Sequence, residues 1–216
     1  QNSDLVKLDV LINGERVDGQ LYTKEEARKQ SGIQSVYWVD DFLTVLPVMM
    51  HHSSSVFINL NENDRFVTDV PYRDERFAAK LREQYPHHTY ERSGPLMAKL
   101  RAIKSETEIQ LMQIACDITD KAFRRVLHFT KPGVYEYEIE AEIIHEFIRN
   151  RATGHAYTPI IASGANACVL HYNDNNQPCN SGDVILLDFG AEYANYAADL
   201  SRSIPVSGKF TARQRD

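Results

Sequence analysis

The stretch 183-DVILLDFGAEYANYAADLSRSIPV-206 reads as a strand, a tight turn and a second strand, with one carboxylate on each arm, Asp188 and Asp199. The run Val184, Ile185, Leu186 and Leu187 marks the first arm as buried, so a charged residue directly after it needs a reason. A two-residue turn at Tyr193-Ala194 puts the aspartates directly opposite one another on one face of the ribbon, where facing Cβ atoms lie roughly 4.5–5.5 Å apart. Moving the turn with an even loop length leaves them on the same face as diagonal neighbours, whereas an odd loop or a bulge sends them to opposite faces.

Two carboxylates that close repel one another in a poorly solvated setting. A shared proton, an arginine such as Arg202, or a pair of divalent cations would neutralise them. Two-metal hydrolytic sites hold their ions roughly 3.5–4 Å apart, a span that carboxylates at this separation can ligate and bridge. A solvated pair on an edge strand satisfies the same spacing with no function at all. Spacing alone leaves both readings open.

Upstream, "YTPIIASG" (157–164) and "ACVLHY" (167–172) read as strands and turns, and "NDNNQPCNSG" (173–182) as a polar loop built from turn-forming residues. Before them lie two helices. Ser105 and Glu108 form a capping box, and Ile109, Met112, Cys116, Thr119, Phe123 and Val126 recur at spacings of three and four, predicting one apolar face on a helix ending near Phe129. After Lys131-Pro132-Gly133, "YEYEIEAEIIHEFIRN" (135–150) supplies a second helix with Ile139, Ile143 and Phe147 inward. His145-Glu146 begins like a zinc-binding HExxH motif, but position 149 is arginine, so the second imidazole is missing.

The first ninety residues alternate short strands and helices. "VKLDVLINGERV" reads as a hairpin around Asn13-Gly14, and "TKEEARKQSG" as a short helix with a Thr23/Glu26 capping box ended by Gly32. "SVYWV" (35–39) and "SVFINL" (55–60) are short enough for buried strands, and residues 73–85 form a helix. The pairs His51-His52 and His87-His88 are surface histidines, because adjacent side chains diverge on strand and helix alike. Ser93-Gly94-Pro95 breaks the pattern, placing a boundary between domains 1–95 and 96–216.

An apolar share of 43 % supplies a packed core, while the net charge of −6 comes without any dense stripe of Lys and Arg, which argues against nucleic acid as a partner. No apolar run approaches the roughly 20 residues that span a bilayer, so a membrane is not expected as a partner either. Cys116, Cys168 and Cys179 are an odd number at unrelated spacings, which fits a reducing, cytoplasmic location.

Residues 96–216 closely resemble the Xaa-Pro aminopeptidase (aminopeptidase P) and prolidase family of pita-bread metallopeptidases, in "IKSETEI", "PGVYEYEIEAEIIHEFI", "YTPIIASGANACVLHY", "LLDFGAEY" and "AADLSRSIPVSGKFT", in that order. The resemblance implies a partial α/β N-terminal domain followed by the first half of an α+β pita-bread catalytic domain. It implies that Asp188 ligates one metal and Asp199 bridges two, usually manganese, and that His171 in "VLHY" lines the substrate site. It implies further that a hydroxide activated by the metals would attack the carbonyl before proline, releasing one residue from the amino terminus of an Xaa-Pro peptide. A homo-oligomer is expected at full length.

The family's remaining ligands, a histidine and two glutamates, follow the second aspartate. Residues 200–216 contain neither type. The chain therefore reads as a segment of a longer protein, expected to be inactive alone and to hold manganese poorly. Two alternatives stay open. Prolidase shares the ligands, although "EIIHEFIRN" and the 157–172 segment look closer to aminopeptidase P. A pita-bread peptide-binding module without catalysis is the other, and relatives of that kind lack the ligand set from which both aspartates survive here.

Overall fold

The computed structural model describes residues 6–7, 11–12, 15–16, 21–60 and 69–215. They divide into two compact units, one running to Lys104 without residues 11–16, the other comprising Leu11–Arg16 and the chain from Ser105 onward. The division thus falls later than the 95/96 boundary expected from the sequence. Pro95 sits in the first turn of a helix, where a missing N–H breaks no hydrogen bond, so Gly94-Pro95 opens an element instead of a linker.

At the start of the chain are β1 (Val6–Lys7), β2 (Leu11–Ile12), β3 (Glu15–Arg16) and β4 (Leu21–Tyr22). β1 pairs with β4 and β2 with β3, antiparallel in both cases. The register of Ile12 against Glu15 is that of the expected hairpin, whose Asn13-Gly14 turn lies outside the described residues.

In the first unit, helix α1 (Lys24–Ser31) carries the expected capping box, with the Thr23 amide donating to Glu26 at 2.8 Å and the Glu26 amide to the Thr23 hydroxyl at 3.3 Å. Gly32 ends it at φ +72°, the left-handed conformation that suits glycine. The strand expected over 35–39 does not form. Instead Val39–Asp41 make a 3₁₀ turn into α2 (Phe42–His51), and Asp40 and Asp41 place negative charge where a helix start stabilises it. β5 (Ser55–Ile58), α3 (Arg73–Gln84) and β6 (Thr89–Arg92) form a β-α-β unit with parallel strands, and α4 (Gly94–Ala102) follows. Met50, Ile58, Ala78 and Leu81 are buried here. His51, His52 and His87 are exposed, as expected of surface histidines, whereas His88 is half-buried with its Nε2 2.8 Å from the Met50 carbonyl.

The second unit lays two helices, α5 (Glu106–Phe129) and α6 (Glu136–Arg149), against two small antiparallel sheets. The strands are β7 (Gly154–His155), β8 (Ile160–Ser163), β9 (Val184–Phe189), β10 (Ala191–Tyr193), β11 (Tyr196–Ala197) and β12 (Leu200–Pro205), with α7 (Ala212–Arg215) at the end. One sheet has the order β12-β9-β8, the other β11-β10-β7. Ile139, Ile143 and Phe147 of α6 are fully buried, as the periodicity predicts, against Ile185, Leu187 and Phe189 of β9. Arg125 of α5 ties the helices together through Glu142 and, at 3.9 Å, Glu146.

The buried face of α5 differs from the one its periodicity predicts. Thr119 and Val126 are buried as expected, but Ala115, Ile118 and Ala122 complete the face, while Ile109 is 51 % exposed and Cys116 lies at the surface. The sheet approaches closely enough to need alanines, and a hydrophobicity pattern ranks those below isoleucine and methionine. Buried Thr119 is satisfied on both sides, since its hydroxyl donates to the Ala115 carbonyl at 2.9 Å and accepts from the Ala191 amide at 3.0 Å.

That amide sits at a bend. β9 and β10 are separated by Gly190, where an added Cβ would lie 1.7 Å from the Ala198 carbonyl oxygen. Replacing Gly190 with alanine therefore forces backbone apart, and we expect a loss of about 3 kcal/mol or more in unfolding free energy, read from denaturant midpoints.

A half-buried polar cluster lies at the α6–β7 junction. His155 Nε2 is 3.6 Å from Glu140, Asn175 donates to the same carboxylate, and the His155 ring packs edge-on to Phe147. Burial holds the His155 imidazole below its ordinary value and pushes the Glu140 carboxyl up. A histidine with a depressed folded value binds its proton later than the unfolded chain does, so stability is present above about pH 6.5 and is lost as pH falls through the folded value. In thermal melts across that window, His155→Gln should show a shallower decline than the unmodified protein.

Candidate metal centre

Burial alternates along β9. Ile185, Leu187 and Phe189 face the helices, and Val184, Leu186 and Asp188 face away from them. Asp188 thus emerges on the sheet face remote from the core, half-buried. β12 pairs with β9 so that Ser201 stands opposite Asp188, and β11 pairs with β10 so that Tyr193 stands opposite Tyr196. Both ladders follow one continuous register, which brings Asp199 across from Gly190.

The aspartates are therefore diagonal neighbours on one face and not directly opposed, because the turn falls at Ala194-Asn195, one residue after the expected Tyr193-Ala194. Two-residue hairpin turns of the favoured hand need positive φ at both centres, and here they are +52° and +67°. Asparagine accepts that conformation far more readily than tyrosine, which settles the position of the turn. The loop length remains even, so the shared face survives.

A residue that carries no signal in the sequence joins the pair. Tyr157, in the crossover between β7 and β8, points its hydroxyl at both carboxylates, 2.7 Å from Asp188 Oδ1 and 3.0 Å from Asp199 Oδ1. The crossover is placed by the Ala156 amide, which donates to the Gly190 carbonyl at 2.9 Å, and by the pairing of Ile160 with Asp188. Burial, followed by the hydrogen bonds to the two carboxylates, raises the Tyr157 phenol far above its ordinary value. It stays protonated, and with a single proton it donates to one carboxylate at a time. Nothing local in "GHAYTPII" announces this contact, which depends on how the crossover folds back.

His171 lies in the turn after the 3₁₀ segment Gly164–Cys168, exposed, with φ +56°. Among the described contacts it makes no hydrogen bond or ion pair with Asp188 or Asp199. Arg202, the alternative neutraliser, donates to the Ser201 carbonyl and does not pair with either aspartate among the described contacts. Neither does a third His, Cys, Asp or Glu join them in a metal-binding group among the described residues. Two carboxylate oxygens gathered around one hydroxyl suit a hard or borderline divalent cation, but as a partial donor set.

A buried carboxylate stands behind the His171 segment. Glu136, the first residue of α6, is 0 % exposed and accepts four hydrogen bonds: from the Ser163 amide (2.8 Å) and Asn166 Nδ2 (3.2 Å) on Oε1, and from the Tyr172 hydroxyl (2.7 Å) and the Gln177 amide (3.0 Å) on Oε2. Burial and the bond to Glu136 push the Tyr172 phenol up to about 12. In a helix written "EYEIEAEIIHE" this glutamate looks like any surface charge. Only its place in the first helical turn hints otherwise.

Residues 110–216 match metallopeptidase family M24. The Xaa-Pro aminopeptidase of Haemophilus influenzae is 35 % identical over 199 residues, covering 92 % of this chain and 44 % of that protein. The Xaa-Pro aminopeptidase of Escherichia coli is 43 % identical over 122 residues, 56 % of this chain and 28 % of its own length. A solved structure of zinc-substituted Escherichia coli aminopeptidase P in complex with product superposes with a TM-score of 0.75 at 31 % identity, covering 89 % of this chain and 44 % of that one. The architecture is accordingly the expected α/β unit followed by part of the α+β pita-bread fold, and the chain spans about half the length of the relatives it matches over most of its own.

Tyr157→Phe removes the one proton that the two carboxylates share. In a chelator-treated sample the unfolding free energy should fall by about 1–3 kcal/mol, measured by chemical denaturation.

Proposed function

We propose that the protein carrying this chain is an Xaa-Pro aminopeptidase in which Asp188 and Asp199 hold two divalent cations, manganese by preference. The observation that carries the reading is the pair of carboxylates on one sheet face, both within reach of the Tyr157 hydroxyl, in a segment that matches a metallopeptidase family. The relatives' names supply the reaction, removal of the residue before a proline at the amino terminus of a peptide.

In this reading Asp188 and Asp199 would be the residues that hold the ions, with Asp199 shared between them. Bound divalent ions would supply Lewis acidity toward the peptide carbonyl and lower the pKa of a water nucleophile. The chain's own residues set the stage. Tyr157 keeps the two Oδ1 atoms converged before any cation arrives, and the α5–α6 side of the sheet stays dry, so the charged face is the other one. His171 meets the substrate from the exposed turn. A positively charged peptide amino terminus is drawn toward the acidic face by simple electrostatics. The reading places the protein in the cytoplasm as a homo-oligomer.

The donor set is partial, since two carboxylates do not offset the dehydration of two ions. The 216 residues expressed alone should show no turnover of an Xaa-Pro-Xaa tripeptide with added manganese, and robust turnover would overturn that expectation. In the complete gene product, tripeptide hydrolysis should depend on manganese and exceed hydrolysis of an Xaa-Pro dipeptide. Asp188→Asn and Asp199→Asn should each lower kcat/KM by about 10²-fold or more, since loss of a direct ligand exceeds the loss of an outer partner. Retained activity in both variants, or equal activity after chelation, would sink the assignment.

A further inference from the structure

We propose that Glu136 is a positioning residue for the substrate: through its four hydrogen bonds it fixes the exposed 169–171 turn in a conformation able to receive the peptide, a role that rests on the peptidase reading above. All four donors belong to one segment. Ser163 and Gln177 lie at its ends and Asn166 and Tyr172 within it, so the carboxylate pins both feet and the interior of the loop at once. The Glu136 amide also donates to the Gln177 carbonyl at 3.0 Å, which fastens the far foot twice.

Asn175 adds a bond from the same segment to Glu140, one turn further along α6, but between Asn166 and Tyr172 the chain makes no comparable attachment among the described contacts. Val169 and Leu170 are 51 % and 85 % exposed, and His171 holds φ +56°, a left-handed conformation uncommon for a residue with a side chain. An exposed apolar tip with a strained backbone at His171 gains nothing for the core. Its conformation persists because the neighbouring Tyr172 is buried, with its hydroxyl 2.7 Å from Glu136.

The charge on Glu136 is what makes the anchor work. Each oxygen receives two donors, and the α6 N-terminus adds its own positive end. An amide of the same shape offers one oxygen and one NH₂, so on one side a backbone N–H, that of Ser163 or Gln177, would face another donor, while the Asn166 amide or the Tyr172 hydroxyl beside it would have to turn an acceptor toward the NH₂. Glu136→Gln is therefore isosteric yet loses a backbone-amide bond and forces a second partner to reverse. Tyr172→Phe removes a single bond and leaves the other three, giving a milder variant should the first fail to fold.

The test uses the complete gene product loaded with manganese. With a tripeptide substrate, Glu136→Gln should raise KM by about tenfold while kcat and manganese affinity stay within about twofold, and Tyr172→Phe should shift KM in the same direction by less. Hydrogen–deuterium exchange should quicken by about tenfold in peptides covering 165–175 and remain unchanged in β9 and β12. A fall in kcat at constant KM, or unchanged exchange in that segment, overturns the proposal. No turnover by the unmodified protein would remove the peptidase reading and with it the substrate role, while exchange would still decide whether Glu136 holds the turn.

Discussion

The second unit depends on a close approach between Gly190 and the Ala198 carbonyl, where the two arms of the long hairpin cross with no room for a side chain. Because the backbone comes that near, the ribbon bends, and the continuous register is divided between two small sheets. The bend leaves the Ala191 amide without a ladder partner, and Thr119 of α5 supplies one from the helix side. Helix, bend and both aspartates are thereby coupled. Asp188 lies two residues before the crossing, and Asp199 directly follows Ala198 on the other arm.

Polar groups in this unit are distributed by face. On the helix side, Thr119 and Glu136 are fully used in satisfying backbone and side-chain donors, so neither has capacity left for chemistry. On the open side, Asp188 and Asp199 have one hydroxyl between them among the described contacts, and spare lone pairs. Saturation marks the structural carboxylate, and under-coordination marks the one available to a ligand. Both kinds come from the same small set of residue types, which is why geometry separates them where composition does not.

What is legible in the sequence follows from the range of each interaction. Ile139, Ile143 and Phe147 declare the inner face of α6 because large apolar residues at helical spacing admit few other readings, and the Thr23 and Ser105 caps are local hydrogen-bond patterns. The shared face of Asp188 and Asp199 needs only the evenness of the loop. Their offset needs the turn itself, where Asn195 rather than Tyr193 accepts a left-handed backbone. Ala115 and Ala122 escape notice on α5 because close helix–sheet contact selects small residues that carry little hydrophobic signal. Tyr157 and Glu136 are invisible for another reason: each meets its partners across roughly thirty residues or more of chain.

The two-residue turn at Ala194-Asn195 also limits how this segment can change in length during evolution. Adding or deleting one residue between the arms would rotate everything downstream to the reverse side of the ribbon, sending Asp199 toward α5 and an apolar neighbour into solvent. Insertions and deletions at this tip should accumulate in twos across homologous genes, with the tip free to vary in composition while its count is held.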